Sequence, residues 1–154
     1  MILIIAYGNN LRRDDGAGLA LGAALSRLWS AQGKPTRLLQ THQLLPEHAE
    51  EISRADVEAV VFCDASRPAG KENKTLSIRP VQPAAREVAP GHFLSPESLL
   101  VYAAVFRVPS PAWLITIPGT DFNHGEGFSA DTAELLQHPG PAAQALLEQI
   151  TKLP

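Results

Sequence analysis

The chain has 154 residues, 45% of them hydrophobic, and a formal net charge of -3, a length that suits one domain spanning 1–154 and burying about 70% of its unfolded surface. A mildly acidic balance without a cluster of Lys and Arg argues against nucleic acid as a partner. The single Cys63 excludes an internal disulfide and a Cys-x-x-Cys zinc site, so any metal would rest on oxygen and imidazole.

The opening apolar run, residues 2–7, is far shorter than the roughly 20 residues of a membrane span. It lacks the basic flank and small-residue cleavage site of a signal peptide, so a cytoplasmic protein is expected. Like residues 59–63 and 112–117, the run is nearly continuous in apolar residues, which predicts central strands buried on both faces. A stripe of Leu21, Leu25, Leu28 and Trp29 predicts a first helix that Gly33 and Pro35 stop. Residues 36–41 form a weaker strand candidate, and 47–55 a short helix behind Pro46. Residues 75–79 alternate, with Leu76 and Ile78 on one face, as an edge strand does. The rest of 66–94 carries Pro68, Pro80, Pro83 and Pro90 and reads mostly as surface loop. Ser95 caps a third helix with Pro96 at its first position, and Leu99, Tyr102, Ala103 and Phe106 are expected to face its core. Two further helices follow, one after Ser129 and one over 141–151. Strands alternating with helices predict a three-layer α/β fold, an open, mostly parallel, five-stranded twisted sheet with helices on both faces.

The run from Tyr7 to Gly18 places two adjacent acids, Asp14 and Asp15, at the mouth of the first helix. Helix N-termini after a strand usually admit anions, because free N–H groups and the positive end of the dipole point there. Acids in that place repel phosphate, and the missing Gly-x-Gly-x-x-Gly also disfavours a nucleotide-binding domain. The loop reads as metal-directed or as merely capping. If the first and third strands are neighbours, Asp15 after the first and Asp64 at the end of the third face one crevice. His92, shortly before the Ser95 cap, lies close enough in sequence to reach the same rim. Two carboxylates and an imidazole suit nickel, zinc or manganese better than magnesium or copper(I). Each residue also has an ordinary reading: helix acids for Asp14 and Asp15, a turn residue for Asp64, a loop histidine for His92.

The segments Gly8-Asn9-Asn10-Leu11-Arg12-Arg13-Asp14-Asp15-Gly16-Ala17-Gly18, Val60-Val61-Phe62-Cys63-Asp64 and His92-Phe93-Leu94-Ser95-Pro96 resemble three signature segments of the hydrogenase maturation proteases. The glycine-rich stretch from Gly119 to Ser129 resembles a fourth, and the matches spread from residue 2 to about 136. The resemblance implies a cytoplasmic, monomeric endopeptidase that removes the C-terminal extension of a nickel-loaded [NiFe] hydrogenase large-subunit precursor. It implies that Asp15, Asp64 and His92 bind the nickel, which the precursor carries and which zinc or cadmium can replace in crystals. Asp15 is matched rather than Asp14 because it directly precedes Gly16. No Ser or Cys nucleophile belongs to that mechanism, and neither nucleic acid nor membrane is an expected partner. After the second strand, where many members carry Asp-Gly-Gly, this chain has Gln43-Leu44-Leu45-Pro46-Glu47, which resembles the subgroup serving bidirectional, NAD-linked hydrogenases.

Several readings stay open from sequence. The same residues would serve a nickel-site checkpoint or chaperone that binds the large subunit without cutting it. His42, Gln43 and Glu47 are candidates for a substrate cleft, and equally for surface residues and a first-turn helix acid. Cys63 with His92 would suit a thiol protease, although a cysteine within an apolar strand is ordinarily a small buried hydrophobe. Asp121 and His124 are candidates to position a peptide or to form a turn, and Arg12 and Arg13 to meet a substrate carboxylate or to be solvated.

Overall fold

The computed structural model describes residues 1–68, 75–84 and 93–152. The opening run forms β1 (Ile2–Tyr7), and a 3-10 turn over Arg13–Gly16 leads into α1 (Ala17–Ala31). There follow β2 (Thr36–Thr41), α2 (His48–Ile52), β3 (Ala59–Ser66), β4 (Ser77–Val81), α3 (Pro96–Phe106), β5 (Ala112–Pro118), α4 (Ala130–Gln137) and α5 (Gly140–Thr151). The strands form one five-stranded sheet in the order β2-β1-β3-β5-β4, parallel except for β4, which runs antiparallel to β5 at the edge. The α/β class and the mostly parallel sheet are as the sequence predicts.

Alternation along the strands divides the core between the two faces. Ile2, Ile4 and Ala6 of β1 and Val61 and Cys63 of β3 pack with Leu21, Leu25 and Trp29 of α1 and Leu146 of α5. Leu3, Ile5, Val60 and Phe62 point the other way, toward Ala49 and Ile52 of α2 and Leu99, Leu100 and Ala103 of α3. Because both faces are covered, these strands read in sequence as unbroken apolar runs rather than as alternation. Trp29 is fully buried, and its indole N–H donates to the Ala143 carbonyl at 3.2 Å, which ties α1 to α5 and satisfies the ring's only polar atom. Among the described residues no helix is long and apolar enough to cross a membrane.

The structure corrects several details. The strand expected over 59–63 continues to Ser66, so Asp64 stands inside β3, paired in register with Thr116 of β5, rather than at its end. The edge strand lies at 77–81 rather than 75–79 and includes Pro80, a residue that sheets accept at their edges. The second helix is only five residues long. On α3, Leu99, Leu100 and Ala103 are buried, whereas Tyr102 and Phe106, expected in the core, are 47% and 62% exposed. The three buried residues form an arc that seats the helix, and Tyr102 and Phe106 fall on its solvent flank. Of the stretch 66–94, residues 69–74 and 85–92 lie outside the described residues, and with them His92.

Candidate metal-recognition site

Strand order reverses between β1 and β3: β1 connects outward through α1 to β2, while β3 leads toward β5 on the other side. Loops leaving the C-terminal ends of strands part at such a point and leave a crevice where open α/β sheets bind ligands. β1 and β3 are parallel neighbours, in register from Ile2 beside Ala59 to Ala6 beside Cys63, which is the adjacency the sequence reading required.

The loop from β1 to α1 is folded tightly against itself. Gly8 has φ +145, and a Cβ there would collide with the main-chain oxygen of Asp15, so only glycine lets the loop double back. The Asn9 N–H then donates to Asp15 Oδ2 at 2.9 Å, holding a half-buried carboxylate at the rim. Gly18 brings the start of α1 against the strand ends: a Cβ on it would lie 2.7 Å from the Tyr7 carbonyl oxygen and 2.9 Å from the Asp64 Cα. Glycine at 18 thus lets the Asp15 turn sit directly over β3 at Cys63 and Asp64.

Asp14, one residue earlier, has a different task. It is completely buried, and its carboxylate accepts the N–H groups of Thr120 (2.8 Å), Asp121 (2.9 Å) and Ser129 (2.8 Å) and the Ser129 hydroxyl (2.7 Å). Burial opposes its ionisation, but the donors from Asp121, Ser129 and Thr120 outweigh that cost and hold the carboxyl below its ordinary value. Asp14 therefore organises the glycine-rich segment 119–129 and caps neither helix. Ser129 occupies the N-cap position of α4, yet its hydroxyl donates to Asp14 instead of accepting from the helix. The same segment takes up the basic pair: the Arg12 side chain donates to the Phe122 carbonyl at 3.3 Å, and Arg13 pairs with Asp121 at 3.5 Å. Asp121 Oδ1 also accepts the Asn123 N–H at 3.0 Å, the local turn expected of such an Asp, and His124 is exposed.

Asp64 is half-buried on the α3 side of the sheet. Burial pushes its carboxyl up to about 6; bonds from the Tyr7 hydroxyl and the Ala65 N–H pull it down, and the charge of Asp15 pushes it up. That repulsion couples the two acids the sequence singled out. Tyr7 itself is held protonated, first by its burial and then by the Asp64 charge. Glu97, at the start of α3, is 6% exposed and accepts from Arg79 of β4 at 2.8 Å, and its charge also reaches Tyr7. Ser95 caps the helix as expected, accepting the Ser98 N–H at 3.2 Å.

Tyr7 thus lies near enough to Asp64 and Glu97 to feel the charge of both. The sequence reading passed over Tyr7, although a hydroxyl at the last position of an otherwise apolar, doubly covered strand was the available signal. Cys63 faces α1, away from Asp64, and is fully buried; burial and then the Asp64 charge push its thiol far up, so it is packed as a small hydrophobe and not as a nucleophile. Of the suggested cleft residues, His42 lines an open groove of about 300 Å³ beside the loop, together with Asn10, Leu11, Leu19 and Gln40. Among the described residues no three His, Cys, Asp or Glu side chains form a ready-made metal cluster.

A doubly wound α/β domain with paired carboxylates at its switch point is the class that fold and site define. Among solved structures the chain is similar to the [NiFe] hydrogenase maturation protease HycI from Thermococcus kodakarensis KOD1, with 20% identity over 98% of this chain and 92% of that chain and a TM-score of 0.66. It is similar to HybD, also a [NiFe] hydrogenase maturation protease, from Thermococcus kodakarensis, with 20% identity over 98% and 99% of the two chains and a TM-score of 0.61. The hydrogenase maturating endopeptidase HybD from E. coli matches at 18% identity over 98% and 92%, with a TM-score of 0.62. No family model matches the sequence, and no curated protein matches it. The chain has the fold of the [NiFe] hydrogenase maturation proteases, over nearly its whole length.

Proposed function

We propose that this protein is an endopeptidase that removes the C-terminal extension of a nickel-loaded [NiFe] hydrogenase large-subunit precursor, acting in the cytoplasm as a monomer. What supports the reading is the pairing of β1 with β3, which sets the loop carrying Asp15 beside the strand carrying Asp64, in a domain folded like known maturation proteases. In this reading the nickel belongs to the substrate, and Asp15, Asp64 and His92 complete its coordination; His92 enters on the strength of its signature segment alone. A divalent ion polarises a carbonyl or lowers the pKa of a bound water to about 7, so no nucleophilic side chain is required. Cleavage that depends on an ion bridging enzyme and substrate reports on nickel loading, because the metal-free precursor lacks the bridge and binds less tightly. The Gln43-Leu44-Leu45-Pro46-Glu47 segment makes a bidirectional, NAD-linked hydrogenase the first substrate to try.

The test is incubation with nickel-loaded and metal-free precursor, followed by mass spectrometry of the large subunit. Shortening of the loaded form alone is expected. An unshortened subunit that nevertheless binds the protein, with a known active protease succeeding in parallel, would establish a checkpoint or chaperone and overturn the peptidase.

A further inference from the structure

We propose that Arg12 and Arg67, both held by Phe122, form a basic rim that binds a carboxylate on the C-terminal extension of the precursor. The inference rests on the processing reading above. Arg12 belongs to the loop that follows β1 and Arg67 directly follows β3, so the two cations stand beyond the C-terminal ends of neighbouring parallel strands. Both meet Phe122: the Arg12 Nε–H donates to its carbonyl at 3.3 Å, and the Arg67 guanidinium lies over its ring, 4.2 Å from the centre. The negative face of an aromatic ring attracts a cation placed there.

Phe122 is itself anchored. Asp14 accepts the N–H groups of Thr120 and Asp121 just before it, and the ring lies so close to Gly119 that a Cβ there would stand 2.7 Å from its Cζ. The Arg13 N–H donates to the Gly125 carbonyl at 3.0 Å and the Gly125 N–H to the Leu11 carbonyl at 2.9 Å, which clamps the loop of Arg12 to the segment of Phe122. Arg13 is neutralised by Asp121, whereas Arg12 and Arg67 are exposed and, among the described residues, no acid pairs with either. A guanidinium has five N–H donors; Arg12 spends one on Phe122, and stacking on the ring face spends none of those of Arg67. The unspent forks match a carboxylate with two parallel bonds. An extension offers carboxylates of two kinds, acidic side chains and its terminal α-carboxylate.

The experiment measures initial cleavage rates of nickel-loaded precursor by wild type, Arg12→Gln, Arg67→Gln, the double variant and Arg107→Gln, an exposed arginine just after α3. Four precursors are compared: the natural one, one with the Asp and Glu of its extension changed to Asn and Gln, one ending in a carboxamide, and one with both changes. On the natural precursor each single variant is expected to raise KM about threefold and the double variant about tenfold with kcat kept, and Arg107→Gln to change neither. The difference between wild type and double variant is expected to disappear on the precursor that has lost the bound carboxylate, which identifies its source. An unchanged KM in the double variant, a loss confined to kcat, an equal loss in Arg107→Gln, or a difference that persists when both kinds of carboxylate are gone would overturn the basic rim. Wild type that leaves the natural precursor whole overturns the processing reading instead, and the same panel is then compared by dissociation constant with the same expectation. Thermal unfolding of the variants, followed in parallel, is expected to match wild type because both side chains are exposed.

Discussion

The carboxylate of Asp14 accepts both the N–H and the hydroxyl of Ser129, at 2.8 and 2.7 Å, across a sequence separation of 115 residues. Asp15, its neighbour in the chain, accepts the nearby Asn9 N–H at 2.9 Å and remains at the rim. Two identical side chains at consecutive positions are thus divided between holding the segment 119–129 in place and facing the crevice.

Asp14→Ala is expected to destabilise the fold by about 3 kcal/mol or more, because three main-chain donors lose their acceptor in a buried place. The carboxyl titrates below its ordinary value, so its contribution is present above about pH 4 and disappears as pH falls through the lowered folded-state value. Urea unfolding of wild type and variant at pH 7 and pH 3 measures both effects. Equal stability of the two at pH 7 would contradict the anchoring role.

Asp15→Ala removes one hydrogen bond from a half-exposed group, so a loss of about 1 kcal/mol or less is expected. Processing of the nickel-loaded precursor is expected to fall at least about 100-fold, since one proposed ligand is missing. A variant that folds and cleaves normally would remove Asp15 from the site.

The Asp64 carboxyl is raised to about 6 in the folded state, chiefly by burial, against about 3.8 for the free group. The folded protein therefore holds this proton more tightly than the unfolded chain. The corresponding stability is complete below about pH 4 and is lost as pH rises through 6. Asp64→Asn is free of that loss, so the variant should gain on wild type by about 2 kcal/mol between pH 4.5 and pH 7.5. Paired urea titrations at the two pH values read the difference, and a pH-independent gap would show that Asp64 is not raised.

Gly18→Ala is expected to be among the more damaging small substitutions, at about 1–3 kcal/mol, since the added methyl would press on the Tyr7 and Cys63 carbonyl oxygens and the Asp64 Cα. Because the displaced elements carry Asp15 and Asp64, activity should fall with stability. A thermal unfolding midpoint equal to that of wild type would show that α1 does not sit as closely on the strand ends as described.

On α3, Leu99→Ala should cost about 2–5 kcal/mol, whereas Phe106→Ala should cost less than about 1 kcal/mol despite the larger side chain. Leu99 is fully buried and Phe106 is 62% exposed. Chemical denaturation of the two variants compares them, and a larger loss for Phe106→Ala would restore the helix face the sequence predicts.

The elements of this fold were legible in the chain because the forces that form them act over a few residues. Unbroken apolar runs marked β1, β3 and β5; Gly33 and Pro35 marked the end of α1; Ser95 and Pro96 marked the start of α3. The resemblance to maturation proteases likewise rested on short local segments, and the fold agrees with it. Which strand lies beside which, and which of two adjacent acids meets a distant loop, depend on partners far apart in the chain. Only tertiary packing decided that β1 neighbours β3 and that Asp14 rather than Asp15 is consumed by Thr120, Asp121 and Ser129. It also turned Tyr102 and Phe106 to solvent, since helical periodicity fixes the angles between side chains but not the rotation of the helix against the sheet.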